Sequence, residues 1–123
     1  EKRILLFEEA QKQSSLSEFY LGSAHALSQT GELIIASNSG SQLPHLAFTS
    51  QNVILVVGGQ KITPTLDAAL ARLEEYVFPL EDARMKTAGM GGSFISKLLV
   101  LKKEQPFMGR KFHIILVGEK LGF

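Results

Sequence analysis

The sequence contains no cysteine. The chain therefore has no disulfide, no thiolate nucleophile, no cysteine-ligated zinc and no iron–sulfur cluster held by its own thiolates. This absence fits a cytoplasmic protein, which is the location we expect. The three histidines, His25, His45 and His113, lack HxxxH or comparable ligand spacing, so we predict no metal site and no resident cofactor.

Long hydrophobic runs are also missing. The longest uninterrupted apolar run is five residues, 53–57, whereas about twenty are needed to span a bilayer. The opening stretch alternates charged and apolar residues without a small-residue cleavage site, which argues against a signal peptide. Because residue 1 is glutamate rather than methionine, we expect that the sequence begins after a processed, disordered or removed segment.

Neither sign of charge dominates the composition. The sequence contains thirteen Lys and Arg residues and twelve Asp and Glu residues, and 45% of its residues are apolar, as in an ordinary globular domain. The basic residues near the terminal strands predict a solvated loop rather than a nucleic-acid site, because the domain is nearly neutral and has no stacking platform. The 123 residues predict one domain over residues 1–123, with a substantial core.

Helical spacing marks several segments. Residues 2–13 predict an amphipathic helix, and residues 43–49 predict a short one with Pro44 in its first turn. A longer helix is expected after Thr63, which we predict as its cap, with Pro64 at its first position. Its apolar side chains recur at Leu66, Leu70, Leu73 and Val77. A second short helix follows Pro79, and its acidic residues Glu81 and Asp82 fit an exposed face.

Extended segments surround these helices and indicate an α/β fold. Residues 25–37 predict a β-hairpin that turns at residues 29–31. The uninterrupted apolar run 53–57 predicts a strand covered on both faces in a parallel sheet. The final strands flank residues 104–110 and suggest a long hairpin, in which His113 would be a hydrogen-bonded structural residue.

The first candidate binding segment is Gly58-Gly59-Gln60-Lys61, which directly follows the apolar strand. Ligands of open α/β sheets bind at the carboxyl ends of strands, and a lysine close to a helix N-terminus suits a phosphate or carboxylate. An equally weighted alternative is that the glycines only turn the chain and that Lys61 is solvated. The segment matches neither the P-loop nor the dinucleotide-binding glycine pattern.

The second candidate segment is Asn38-Ser39-Gly40-Ser41-Gln42, a turn rich in hydroxyls, amides and backbone donors. Two such junctions are expected to line one crevice. The simpler alternative, which the residue types favour, is a turn with an N-cap from Ser39 or Ser41. The glycine-rich residues 88–93 follow a helix and precede a strand, so we interpret them as a mobile loop rather than a phosphate-binding loop.

Three stretches together resemble the lactate-utilisation (LUD) domain family. They are "YLGSAHALSQTGELIIASNSGSQLPHLAF", "VILVVGGQKI" and "GRKFHIILVGEKLGF", and the resemblance covers about residues 19–123. It implies a three-layer open sheet like that of the sugar-phosphate isomerase and CoA-transferase superfamily. It also implies a link to L-lactate oxidation beside iron–sulfur and oxidoreductase-like subunits. Lys61 matches the lysine of the family's "VVG-x-x-K-I" segment, and residues 38–42 match its polar turn.

The sequence departs from the family pattern in two places. Many relatives carry a cysteine-rich stretch after the helix that ends near Arg84, and here "MKTAGMGGSFISKL" replaces it, so no cluster role carries over. The family domain is also longer on its N-terminal side, which implies a shortened member or a C-terminal part. A sheet that lacks neighbouring strands favours pairing with another chain, so we expect a homodimer.

Three functions remain open from the sequence, of which the third is a purely structural α/β module that leaves the two polar junctions at one edge unexplained. The first is an accessory subunit of lactate oxidation that binds partner proteins and a small anion. The second is an enzyme or ligand-binding domain for a phosphorylated or carboxylated metabolite. In that reading Lys61 is an electrostatic clamp and Ser39, Ser41 and Gln42 are hydrogen-bond donors.

Overall fold

The computed structural model describes residues 2–123, and its first element confirms the predicted N-terminal helix. Helix α1 spans Lys2–Ser14. A short helix at residues 43–49, mostly π-helical over His45–Thr49, confirms the second predicted helix. Pro44 lies at its start.

The central helix is continuous, although the sequence suggested two helices. Helix α2 (Leu66–Arg72), a π-helical segment (Leu73–Val77) and helix α3 (Phe78–Thr87) follow one another without a break. Pro79 lies in the first turn of α3, directly after the wider π-helical turns. Such turns relieve the clash between a proline ring and the preceding turn, so the proline does not end the helix.

The predicted cap of this helix is wrong by two residues. Thr65 is the N-cap, and its Oγ1 accepts a hydrogen bond from the Ala68 N–H at 3.1 Å. Thr63 instead belongs to a short strand and donates from its Oγ1 to the Leu27 carbonyl at 3.4 Å. Pairing with a neighbouring strand keeps the chain extended beyond Pro64, and the helix therefore starts later.

Seven strands form two sheets within the described residues. The first sheet is parallel, in the order β1 (Phe19–Gly22), β4 (Asn52–Gly58), β7 (Lys111–Val117). The second is mixed, in the order β5 (Ile62–Thr63), β2 (Ala26–Ser28), β3 (Leu33–Ser37), β6 (Lys97–Leu101). The α/β class predicted from the sequence is confirmed.

Only the first of the two predicted hairpins is present. Strands β2 and β3 pair antiparallel, with Leu27 opposite Leu33. Strands β6 and β7 do not pair with each other, because β6 joins β3 and β7 joins β4 in the other sheet. The long connection at residues 102–110 therefore crosses between sheets.

Two apolar clusters divide the molecule into three layers, namely the first sheet, the second sheet and the central helix. The cluster between the sheets contains Leu33, Ile35, Leu46, Val53, Leu55 and Val57. The cluster between the second sheet and the helix contains Ala26, Ile34, Ala69, Leu73 and Val77. The strand covered on both faces is consequently β3, which is flanked by both clusters.

Strand β4 was expected to be covered on both faces, and this expectation is wrong. Val53, Leu55 and Val57 are fully buried, whereas Ile54 and Val56 on the opposite face are only partly buried. The expected structural role of His113 is also wrong, because this residue is exposed on the neighbouring edge strand and makes no side-chain hydrogen bond within the described residues. The uninterrupted apolar run therefore did not indicate whether one or both faces of strand β4 are covered.

Candidate functional site

A cavity of about 420 Å³ lies between the end of β3 and the central helix. Its polar lining comes from the connection before β2, from the end of β3 and the turn after it, from α3 and from the loop before β6. These residues are His25, Ser37, Asn38, Ser39, Gln42, Glu81, Arg84 and Ser93. This volume suits a small metabolite.

The turn at residues 38–42 is held by its own hydrogen bonds. The Ser37 hydroxyl donates to Gln42 Oε1 at 2.9 Å and accepts from the Gly40 N–H at 2.8 Å. Gly40 has φ +85°, a left-handed conformation that side chains rarely adopt. Of this candidate segment, the structure places Asn38, Ser39 and Gln42 on the large cavity.

The remaining residues of that segment turn away from the large cavity. Gly40 and Ser41 line a separate hollow against α1, together with Glu8 and Lys12. Ser39 borders both spaces, and its hydroxyl is 3.1 Å from the Ser41 hydroxyl. The five residues therefore do not all border one common cavity.

The segment Gly58–Lys61 leaves the carboxyl end of β4 and forms a single 3₁₀ turn over Gly59–Lys61. A Cβ on Gly58 would lie 2.7 Å from the Leu121 backbone nitrogen, so this position has no room for a side chain. The Gln60 side chain bonds the Leu121 backbone on both sides, donating to its carbonyl at 2.8 Å and accepting its N–H at 3.2 Å. Gly58 and Gln60 thus pack the terminal segment.

Lys61 is the buried member of this segment, with 7% of its surface exposed. Its ammonium donates one hydrogen bond of 3.3 Å to Ser23 Oγ, and within residues 2–123 no carboxylate lies within 4 Å of it. Burial, and secondarily the positive charge of Arg72, lower the pKa of Lys61. The alternative in which Lys61 is solvated is wrong.

Lys61 borders a smaller cavity of about 150 Å³, together with His25, Val77, Glu81 and Phe123. His25, Val77 and Glu81 also line the large cavity, so the two spaces are adjacent. Lys61 of the first candidate segment and Asn38, Ser39 and Gln42 of the second thus line two neighbouring cavities.

His25 is fixed in one tautomer. Its Nδ1 accepts a hydrogen bond from the Ala36 N–H at 3.1 Å, so in the neutral ring Nε2 carries the proton. Burial is the main cause that lowers the pKa of His25, and the charge of Lys61 acts in the same direction. The ring is therefore neutral at pH 7 and donates only through Nε2.

Glu81 and Arg84 form an ion pair beside His25. Arg84 donates from Nε to Glu81 Oε2 at 2.9 Å and from Nη2 to Glu81 Oε1 at 2.5 Å. The hydrogen bond from Arg84 is the first cause that lowers the pKa of Glu81. The carboxylate is therefore ionised, and the arginine is oriented at the cavity wall.

Arg72 binds the backbone of two residues that line the small cavity. Its guanidinium donates to the His25 carbonyl at 3.2 Å and to the Phe123 carbonyl, and it lies 5.0 Å from the Tyr76 ring centroid. Both carbonyls belong to residues that line the small cavity. Arg72 therefore fixes two walls of that cavity and adds positive charge beside Lys61.

Sequence reasoning missed His25, Glu81 and Arg84 as cavity residues. His25 lies in the connection before β2, and the only signal was a polar residue next to the alternating hairpin. Glu81 and Arg84 are separated by one helical turn, a spacing shared by many exposed ion pairs. Only the packing of the helix on the second sheet shows that this pair borders a cavity.

The fold and these cavities define an α/β protein with two neighbouring polar cavities between its second sheet and the central helix. A family model described as the LUD domain matches residues 4–117. The chain belongs to the LUD-domain family, which confirms the resemblance seen in the sequence. This membership indicates a role related to lactate utilisation.

Searches of curated proteins and of solved structures gave no match. None of the helices in residues 2–123 has both the length and the apolarity needed to cross a membrane.

Proposed function

We propose that this LUD-domain protein is an accessory component of L-lactate utilisation that binds a small anionic metabolite beside Lys61. The observation that carries the proposal is the buried ammonium of Lys61, which has no carboxylate within 4 Å in the described chain. A buried charge is costly unless it is paired. A bound carboxylate or phosphate would supply the missing negative charge.

The cavity walls favour an anion over a cation. Lys61 and Arg84 contribute positive charge, and Glu81 contributes the one carboxylate side chain among the described residues that line the two cavities. At the far end Asn38, Ser39 and Gln42 offer amide and hydroxyl groups for the rest of the ligand. Gly58, Gly59 and Gln60 would shape the approach to Lys61, while Gly40 and Ser41 would only support the turn.

The alternative function is an enzyme or ligand-binding domain for a phosphorylated or carboxylated metabolite. Its support is that His25 and Glu81 border the same cavity as Lys61. A neutral imidazole and an ionised carboxylate can donate and accept protons beside a bound ligand. Turnover of a ligand found in the binding experiment would favour this alternative.

The binding proposal is tested with a thermal-shift panel of lactate, pyruvate, sugar phosphates, coenzyme A and folates. A ligand present at about one hundred times its Kd should stabilise the protein by about 2.7 kcal/mol. Lys61→Met should abolish this stabilisation, and the matched control Lys103→Met, at an exposed lysine, should retain it. Equal stabilisation of both variants, or a silent panel with wild type, would contradict the proposal.

A homodimer and iron–sulfur or oxidoreductase subunits of lactate oxidation are the proposed partners. The outer face of the first sheet supports an interface, since Phe19, Leu21 and Ile115 are exposed there. Helix α1 buries none of its residues and exposes four consecutive apolar side chains. Monomeric proteins rarely leave such surfaces uncovered.

We expect light scattering to give twice the chain mass of 13.5 kDa. Leu21→Glu places a charge on the outer face of the sheet, where Leu21 is 70% exposed, and should weaken association by about tenfold or more. Leu16→Glu, at a residue 76% exposed outside that sheet, is the control. A monomeric wild type at about 100 μM would contradict the dimer.

A further inference from the structure

Lys61 differs chemically from the other lysines of the chain. Lys86 pairs with Asp82 at 2.7 Å, and Lys97 donates to the Asn38 carbonyl at 3.1 Å. Lys61 is buried, and among residues 2–123 only the Ser23 hydroxyl is its hydrogen-bond partner. A lysine that is desolvated and lies beside another cation loses its proton more readily, and the neutral amine is a nucleophile.

The small cavity at Lys61 has the size of a small reactant. Its volume of about 150 Å³ equals the space of about five water molecules. A compound of two to four carbon atoms fits this space, and a longer one could extend past Val77 into the larger neighbouring cavity. The wall beside Lys61 also carries the Glu81 carboxylate, which can accept a proton.

We propose that Lys61 is a nucleophile that forms a Schiff base with a small aldehyde or ketone in this cavity. The inference deepens the proposed function, since it rests on the same lysine and the same cavity. It assigns a carbonyl group, in addition to negative charge, to the compounds that the site recognises. Lys61 is then a covalent anchor rather than an electrostatic clamp alone.

The condensation balances without any oxidant or reductant. The lone pair of Nζ attacks the carbonyl carbon, and the carbon–oxygen π pair moves to oxygen. Glu81 first moves one proton from the nitrogen to the alkoxide oxygen, which gives a carbinolamine. It then takes the second nitrogen proton and delivers it to the hydroxyl, which leaves as water while the nitrogen lone pair forms the carbon–nitrogen double bond. Hydrolysis reverses these steps and restores the free amine.

The charged groups around Lys61 support this role. Burial, and secondarily the charge of Arg72, lower the pKa of Lys61, and His25 is neutral because burial lowers its own pKa. Both carboxylate oxygens of Glu81 accept hydrogen bonds from Arg84, and Glu81 does not form an ion pair with Lys61. Within the described chain Lys61 therefore lacks a carboxylate ion pair, which would stabilise its protonated form.

The test is reductive trapping with acetaldehyde and sodium cyanoborohydride near pH 7, followed by peptide mass mapping. Acetaldehyde is uncharged, so it reports the amine and not anion binding. Lys61 should gain an ethyl group about tenfold faster than the exposed Lys103, because a depressed pKa raises its neutral fraction. Glu81→Gln should slow trapping at Lys61 by about tenfold.

Lys61→Arg separates the inference from the proposed function. Arginine retains the positive charge but forms no such imine under these conditions, so this variant should keep stabilisation by anions and lose trapping at position 61. Wild type that is stabilised by anions but is trapped at Lys61 no faster than at Lys103 would overturn the inference alone. Selective trapping with no stabilisation by any anion would overturn the anion proposal and support the Schiff base.

Discussion

Replacing Arg110 with alanine should lower the free energy of unfolding by about 3–5 kcal/mol. The Arg110 side chain is 5% exposed and uses every nitrogen of its guanidinium. It donates to four backbone carbonyls around the helix at residues 43–49, those of His45, Leu46, Ala47 and Ser50, at 2.7 to 3.3 Å. Alanine leaves these carbonyls and the partly buried Glu104 carboxylate without their donor.

Arg110→Lys should recover little of this loss. A single ammonium cannot reproduce the planar array of donors, and the guanidinium also lies 5.2 Å from the Phe112 ring centroid. Urea unfolding of both variants measures the effect, with Lys103→Ala as an exposed control expected to change stability by about 0.5 kcal/mol or less. A lysine variant within about 1 kcal/mol of wild type would show that charge alone suffices.

Replacing Lys61 with methionine should raise the free energy of unfolding by about 1–3 kcal/mol while it removes ligand binding. Methionine has a similar length and needs no counter-charge at this buried position. The lost hydrogen bond to Ser23 is long, at 3.3 Å, and Ser23 itself is exposed to water. Stability and function are therefore expected to oppose each other at this residue.

The effect of Lys61→Met should depend on pH. The pKa of Lys61 is lower in the folded state than its ordinary value of 10.5, so the unfolded chain binds the extra proton between the two values. The stability of wild type therefore rises with pH through this window, because the unfolded state holds more protons there. The advantage of methionine is greatest below the folded-state pKa and shrinks towards pH 10.5.

Urea titrations at a series of alkaline pH values check this expectation, with Lys103→Met as the matched control. The control should follow the wild-type curve, since Lys103 is exposed. A Lys61→Met protein less stable than wild type at pH 7 would show that the buried ammonium contributes favourably to the fold. That result would remove the argument that Lys61 lacks a counter-charge.

Local sequence patterns were sufficient to predict an element when the residues that it pairs or packs with are close in the sequence. The hairpin at residues 25–37 and the helix α1 were predicted because turn residues and apolar spacing act over a few positions. The terminal hairpin failed for the opposite reason, since β6 and β7 each pair with a strand more than fifty residues away. Nothing in residues 104–110 distinguishes a tight return from a crossing between sheets.

The candidate site shows the same division. Lys61 was selected because it follows the carboxyl end of an apolar strand, which is a local feature. Its burial depends on the terminal segment, where a Cβ on Gly122 would lie 3.3 Å from Nζ, and on the distant residue Ser23. His25 and Glu81 reach the same cavity only through the packing of two sheets and a helix.

The sequence by itself determined the α/β class, the central apolar strand, the family and the position of the lysine. These follow from short-range spacing and from motifs whose order along the chain is visible. Only the tertiary structure decided which strands pair, which faces are buried and which charges share a cavity. Such contacts join residues far apart in the chain, and burial determines whether a charge there is solvated or in need of a partner.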